Sequence, residues 1–248
     1  MILWVPGLFF GIAFVFSMLG MGGGQLYVPL LYWAGLDLKA AAIPLGLLLN
    51  VLTTVSAAWV YARKGLVDWK VALPFGIAMV VLPPVGVLVN AHLPPRPILL
   101  IFALFTAAAA LLMLSGWQPR QRLEQARAHA LLGVGGGGVL GFFTGLIGRG
   151  GGSFVVPLLY LAGLEPRRAA ATSAVVVTLS GISGVLAHLK VTARPQWPLW
   201  LATIAAVLLG SQLGARVMVT RLDSRRIKLL FGWLLLGVAF LIVVKDVL

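Results

Sequence analysis

Apolar residues run along this chain in long stretches, not in the alternating or three-and-four spacings of soluble strands and helices. Stretches near 2–19, 40–62, 70–90, 97–115, 128–147, 169–189, 197–216 and 227–247 approach the roughly 20 residues a helix needs to cross a hydrocarbon core of about 30 Å. Polar residues gather in the short joints between them. Two further apolar pieces, near 25–34 and 153–162, are too short to cross alone as helices. The pattern predicts an all-α polytopic membrane protein with about eight long transmembrane helices and two short half-helices.

Each short piece follows a break rich in glycine. The first reads Gly20-Met-Gly-Gly-Gly-Gln-Leu-Tyr-Val-Pro-Leu-Leu-Tyr-Trp-Ala-Gly35, and the second Gly148-Arg-Gly-Gly-Gly-Ser-Phe-Val-Val-Pro-Leu-Leu-Tyr-Leu-Ala-Gly163. Each helical glycine costs about 1 kcal/mol relative to alanine, and opened backbone within a bilayer must find partners other than lipid. At the same offset Trp69 matches Trp197 and Gly86 matches Gly214; after one inserted residue Leu93–Ile98 matches Leu222–Ile227. The chain therefore divides into a first repeat over 1–116, a basic connecting loop over 117–127 and a second repeat over 128–248. Broken helices at matching places in two halves point to a transporter's substrate site.

Composition narrows the class. Sixty per cent of residues are hydrophobic and only 10% charged, with no cysteine, so disulfides, thiolate catalysis and cysteine-held metals are excluded. The net charge of +13 comes from loop residues that orient the protein in the membrane, and nucleic acid is not an expected partner. Residues 1–19 lack a basic leader and a small-residue cleavage site, which favours a retained first span.

The same basic residues test topology. Four crossings per repeat would divide them almost evenly between the two sides. If each glycine break also reverses the chain, Arg63, Lys64, Lys70, Arg120, Arg122, Arg127, Arg167, Arg168, Arg216, Arg221, Arg225, Arg226 and Lys228 gather on one side. The uneven division is what the positive-inside rule expects, and it makes the repeats inverted.

The candidate anion site combines backbone amides of glycine with the positive N-terminal end of the short helix that follows. It comprises Gly20, Gly22, Gly23, Gly24 and Gln25 in one half, and Gly148, Gly150, Gly151, Gly152 and Ser153 in the other. Arg149 stands where the first break has Met21, and its planar fork suits sulfonate, sulfite or carboxylate oxygens. Asn50, Thr172 and Ser173 are further polar candidates, with Thr53, Thr54, Ser56, Thr178, Ser180 and Ser183 weaker ones. No carboxylate falls within a span, which favours an anion over a cation. Proton coupling would use His188 or the substrate itself. Trp4, Trp33, Tyr61, Trp69, Trp117, Trp197, Trp200 and Trp233 are expected in interfacial belts. Isolated glycines, among them Gly210 and Gly214, are expected to serve helix packing.

An enzymatic alternative is an intramembrane serine protease at Gly181-Ile-Ser-Gly184, with Ser183 as nucleophile. Its base would have to be His92 or His129, because His188 is five residues on and points elsewhere. A non-transporting assembly subunit leaves the glycine-opened midplane unexplained.

The two Gly-x-Gly-Gly-Gly-x-x-x-x-Pro-x-Leu breaks, each followed by a small-residue span, closely resemble the sulfite exporter TauE/SafE family of bacterial membrane permeases, from about Pro6 to Val244. The resemblance implies a multi-pass secondary carrier of the bacterial inner membrane for sulfite, sulfonate, sulfoacetate or related organic anions, with its site at the two breaks. Its expected partners are that small anion, a coupled proton and membrane lipids, with no cofactor and no metal. A homodimer is compatible with the sequence, which fixes no oligomeric state.

Overall fold

The computed structural model describes residues 4–37, 41–90, 95–115, 132–147, 152–188, 197–242 and 244. No strand occurs among them; backbone groups that must avoid lipid find their partners inside helices. In order these are α1 (Trp4–Met18), α2 (Gly24–Trp33), α3 (Ile43–Arg63), α4 (Trp69–Val81), α5 (Pro83–Asn90), α6 (Pro95–Leu114), α7 (Gly137–Ile147), α8 (Gly152–Leu161), α9 (Pro166–His188), α10 (Trp197–Arg221) and α11 (Ser224–Ile242). A π-helical turn, Leu132–Gly136, leads into α7.

The two half-helices fall where the breaks predict them. Both end in the same turn: Gly35 and Gly163 take positive φ values of 92° and 90°, while Leu36 and Leu164 donate back to Leu31 and Leu159. Only a residue without Cβ adopts that conformation cheaply.

The expected set of eight long spans is not what the described residues show. Three helices there are long and apolar enough to cross a membrane: Ile43–Arg63, Pro166–Leu186 and Trp197–Arg221. α1 has 15 residues. The run expected as one span over 70–90 is divided at Leu82 into α4 and α5, because Pro83 and Pro84 supply no N–H to the turn before them. The corresponding positions of the other half, Ser211 and Gln212, carry no such block, and α10 continues unbroken for 25 residues.

Glycines bring the helices together. Gly210 and Gly214 of α10 lie against the carbonyls of Phe10 and Phe14, so α1 and α10 run parallel in close contact. Gly133, Gly137, Gly138 and Gly141 meet Pro74 through Leu82, so α7 runs parallel to α4. Gly181 faces Val51 and Gly184 faces Leu47, while near the other end Thr172 bonds the Asp68 amide; α3 and α9 are therefore antiparallel. Tyr61 reaches Ser17, and Gln212, a turn along α10, reaches Ser56, so α1 runs parallel to α3. α2 goes the other way: Gly24 lies at Asn50 and Val28 at Gly46. The first break thus reverses the chain.

Small residues make α9 the centre of the bundle. Residues 169–177, Ala-Ala-Ala-Thr-Ser-Ala-Val-Val-Val, are all buried, as expected of a helix enclosed on every side. Leu88, Leu104 and Phe240 are about two-thirds exposed (67%, 69% and 67%) on the outside, where lipid would cover them. The ends of α3 and α10 and the starts of α9 and α11 share one side. Arg168 lies 3.8 Å from Asp68, Arg167 donates to the Val219 carbonyl at 2.6 Å, and Ser224 bonds Glu165. An even, four-crossing division of the basic residues would separate Arg63 and Lys64 from Arg167 and Arg168, so that division is excluded.

Candidate functional site

The first break is built by its glycines in sequence. α1 ends in a Schellman turn in which Gly20 donates to Ser17 at 3.0 Å and Met21 to Phe16 at 3.2 Å, with Gly20 at φ 68°. Gly22 repeats the left-handed conformation at φ 68°. Gly23 then precedes α2 without a side chain to cap it. The cap comes instead from α3, where the Asn50 Oδ1 accepts the Gly24 N–H at 2.9 Å. A Cβ at Gly20 would overlap the Ala170 carbonyl, one at Gly22 would strike Asn50 and Thr54, and one at Gly23 would strike the Tyr27 ring. The break is closed around its backbone.

The second half meets it directly. Gln25 Nε2 donates to Ser153 Oγ, joining residues 128 positions apart, the second residue of α2 and the second of α8. Gly152 sits so tightly on the Met21 carbonyl that a Cβ would overlap it. Ser173 donates to the Gly20 carbonyl at 2.9 Å. Two helix N-termini, each carrying about half a positive charge, therefore converge within the bundle.

Some polar groups at this junction remain unanswered among the described residues. The Gln25 Oε1 is buried without a donor, and the N–H groups of Gly22 and Gly23 have no acceptor. Pro29 and Pro157, four residues after Gln25 and Ser153, have no N–H for the carbonyls of those two residues. Among the described residues the buried polar side chains, from Ser17 and Asn50 to Thr203 and Ser211, are all uncharged. No cluster of metal-ligating side chains occurs among the described residues. An apolar groove of about 430 Å³ lined by Gly7, Leu8, Gly11, Val15, Phe16 and Leu234 runs along α1 up to the turn before the first break, and its lining has nothing to orient an anion.

The sequence candidates fare unevenly. Gly20, Gly22, Gly23, Gly24, Gln25, Asn50, Gly152, Ser153 and Ser173 come together; Gly148, Arg149, Gly150 and Gly151 lie outside the described residues. Thr172 is one step removed and accepts the Asp68 amide at 3.0 Å. Thr178 and Ser180 bond carbonyls of their own helix. Ser183 donates to the Ser180 carbonyl at 2.7 Å, the bland role of a serine in a membrane helix. Two aromatic expectations are corrected: Tyr61 is fully buried and donates to Ser17 at 2.6 Å, and Trp200 is buried too, so neither belongs to an interfacial belt. Trp4, Trp33, Trp69, Trp197 and Trp233 are exposed, whereas Trp117, His92 and His129 lie outside the described residues.

Three contacts had no clear signal in the sequence: Tyr27 with Thr53 at 3.0 Å, Tyr61 with Ser17, and Gln212 with Ser56 at 2.9 Å. Each joins residues on different helices, a relation that single-helix periodicity does not encode. The glutamine midway along α10 was the available clue, since an amide within a span needs a partner.

No solved structure matches the chain significantly. It is 27% identical over 226 residues to the probable membrane transporter protein YunE of Bacillus subtilis, covering 81% of this chain and 82% of the relative. Identity to the probable membrane transporter protein y4hK of Sinorhizobium fredii is 26% over 236 residues, 92% of each chain. The probable membrane transporter protein MJ0441 of Methanocaldococcus jannaschii is 25% identical over 218 residues, 81% of this chain and 80% of its own. The family model for sulfite exporter TauE/SafE matches residues 5–242. With a match that spans both breaks and nearly every helix, the chain belongs to the sulfite exporter TauE/SafE family of membrane transporters.

Proposed function

We propose that this protein is a secondary carrier of small sulfur-containing or organic anions, of the sulfite, sulfonate or sulfoacetate type, which bind where the two glycine breaks meet. The observation that carries this reading is the contact of Gln25 with Ser153. Two half-helix N-termini, glycine amides and neutral hydrogen-bonding side chains meet there, and no carboxylate stands beside them among the described residues, which supports an anion as the guest. Arg149 is the cation we assign to the second break.

In this proposal residues 1–116 and 128–248 are inverted repeats. The packing of α1 on α10 is answered by that of α7 on α4 and α5, and the neighbours Phe10 and Gly210 by Gly138 and Leu82, each shifted by 128. Equivalent helices α3 and α9 run antiparallel, as an axis in the membrane plane requires. Exchange of conformations between the halves would open the junction to alternate sides. The side holding Arg167, Arg168 and Lys228 is the cytoplasmic one by the positive-inside rule.

Purified protein in liposomes should exchange external sulfite or a small sulfonate for the same anion trapped inside. Arg149→Met, which makes the second break resemble the first, should weaken this exchange about tenfold or more while expression is unchanged. Flux equal to that of empty liposomes, with every anion tried, would refute the carrier and favour an assembly subunit.

A further inference from the structure

We infer that the junction accepts its anion in a form that still carries a hydrogen, a monoprotonated oxyanion such as hydrogen sulfite; this rests on the carrier reading above.

The argument begins with the unmatched groups. Gly22 and Gly23 offer N–H donors, and the N-terminal ends of α2 and α8 favour negative charge. Beside them Gln25 Oε1 is a buried acceptor with no donor among the described residues. Pro29 and Pro157 leave the main-chain carbonyls of Gln25 and Ser153 without their usual helical donor. A fully ionised sulfite or a sulfonate presents only acceptors. It would satisfy the amides but turn lone pairs towards the Gln25 oxygen. A metal cation would satisfy the oxygens but would sit between two positive helix ends. An oxyanion with one O–H answers both demands.

Among the described residues the surroundings offer no other carrier for that hydrogen; Arg149, the cation assigned to the second break, lies outside them and stays protonated at any pH of the test. Neither α1, α2 nor α8 contains an Asp, Glu, His, Lys or Arg. On α3 the ionisable side chain is Arg63, which lies over Trp59 at the helix end, 5.0 Å from the ring centroid. On α9, Arg167 and Arg168 are engaged with Val219 and Asp68 at its start, and the His188 side chain at its far end lies outside those described. Arg96 on α6, which touches α8, also lies outside them. Tyr27 is bonded to Thr53, Tyr61 to Ser17 and Tyr160 to Lys228. A proton moving with the anion therefore moves on the anion. No bond to sulfur is made or broken, and the O–H that enters on one side leaves on the other.

The test is counterflow of labelled sulfite into liposomes holding the whole protein, with equal pH on both sides so that no proton gradient contributes. Above the second ionisation of sulfite, the apparent KM for total sulfite should rise about tenfold per pH unit, as the monoprotonated fraction falls. Methanesulfonate has a similar size and charge but no O–H, and should compete at least roughly tenfold more weakly. Gln25→Leu should abolish that preference; the wild-type comparison stands without the variant. A KM that is flat or falls with pH, equal competition by methanesulfonate, or a requirement for sodium would overturn the inference while leaving an anion carrier. No flux with any anion would overturn the carrier reading as well.

Discussion

Asn50 does for α2, from another helix, what a capping residue usually does from the adjacent position. Its Oδ1 holds the Gly24 N–H, and the side chain also fills the space that a Cβ at Gly22 would need. Removing the amide leaves a half-buried donor without its partner, at a cost of about 1 kcal/mol. Asn50→Ala should therefore lower thermal stability in detergent measurably. Thr54→Val, whose hydroxyl only serves carbonyls of its own helix, should lower it far less. Asn50→Asp keeps an acceptor but adds a charge, so it should retain the fold and lose anion exchange. Equal stability of Asn50→Ala and the wild type would remove the cap from the account. That Asn50 mattered was legible, because a bare amide within a span demands a partner. That its partner is a glycine amide 26 residues back was not. The burial of Tyr61 was equally hidden, since a tyrosine near a span end looks the same whether it turns to the headgroups or to Ser17.

At the level of whole helices, the half-helices α2 and α8 were the clearest part of the sequence. A Gly turn at Gly35 and Gly163 set their ends, a local effect that needs no tertiary partner, whereas the α2 start also takes its cap from Asn50 of α3. The division of α4 from α5 was also written locally, in Pro83-Pro84, but hydropathy alone runs straight across it. Pairing between helices was the hidden part, because it depends on which small residues face one another. Gly210 and Gly214 proved to be contact points for α1, as their spacing suggested, without revealing that α1 was the partner. The meeting of α2 and α8 gives a direct test, helped by the absence of native cysteine. Gln25→Cys with Ser153→Cys should form an intramolecular cross-link under mild oxidation. In our proposal that cross-link stops exchange, and reduction restores it. Single substitutions should form none. Failure to cross-link would place the two half-helices apart in the membrane.

For the molecule as a whole, the decisive issue is whether a ten-residue helix can serve as a return crossing. Ten residues of α-helix rise about 15 Å, half of a typical hydrocarbon core. In the proposal the rest is supplied by the break, since residues from Ser17, bonded to Tyr61, to Gly24, bonded to Asn50, lead back along α3. In the inverted-repeat proposal a break and a half-helix together replace one ordinary span, which would make the number of crossings per half odd. The charge distribution in the sequence pointed to this arrangement, but helix length alone argued against it. Asp37 and Glu165 provide the test, for they are exposed and stand at equivalent places just after Gly35 and Gly163. Inverted repeats put them on opposite faces, and parallel repeats on the same face. In intact cells, Asp37→Cys should react with a membrane-impermeant maleimide, whereas Glu165→Cys, on the side of Arg167 and Ser224, should react only after the cells are opened. Labelling of both from the same side would require parallel repeats, and an alternating-access cycle based on exchange between inverted halves would have to be abandoned.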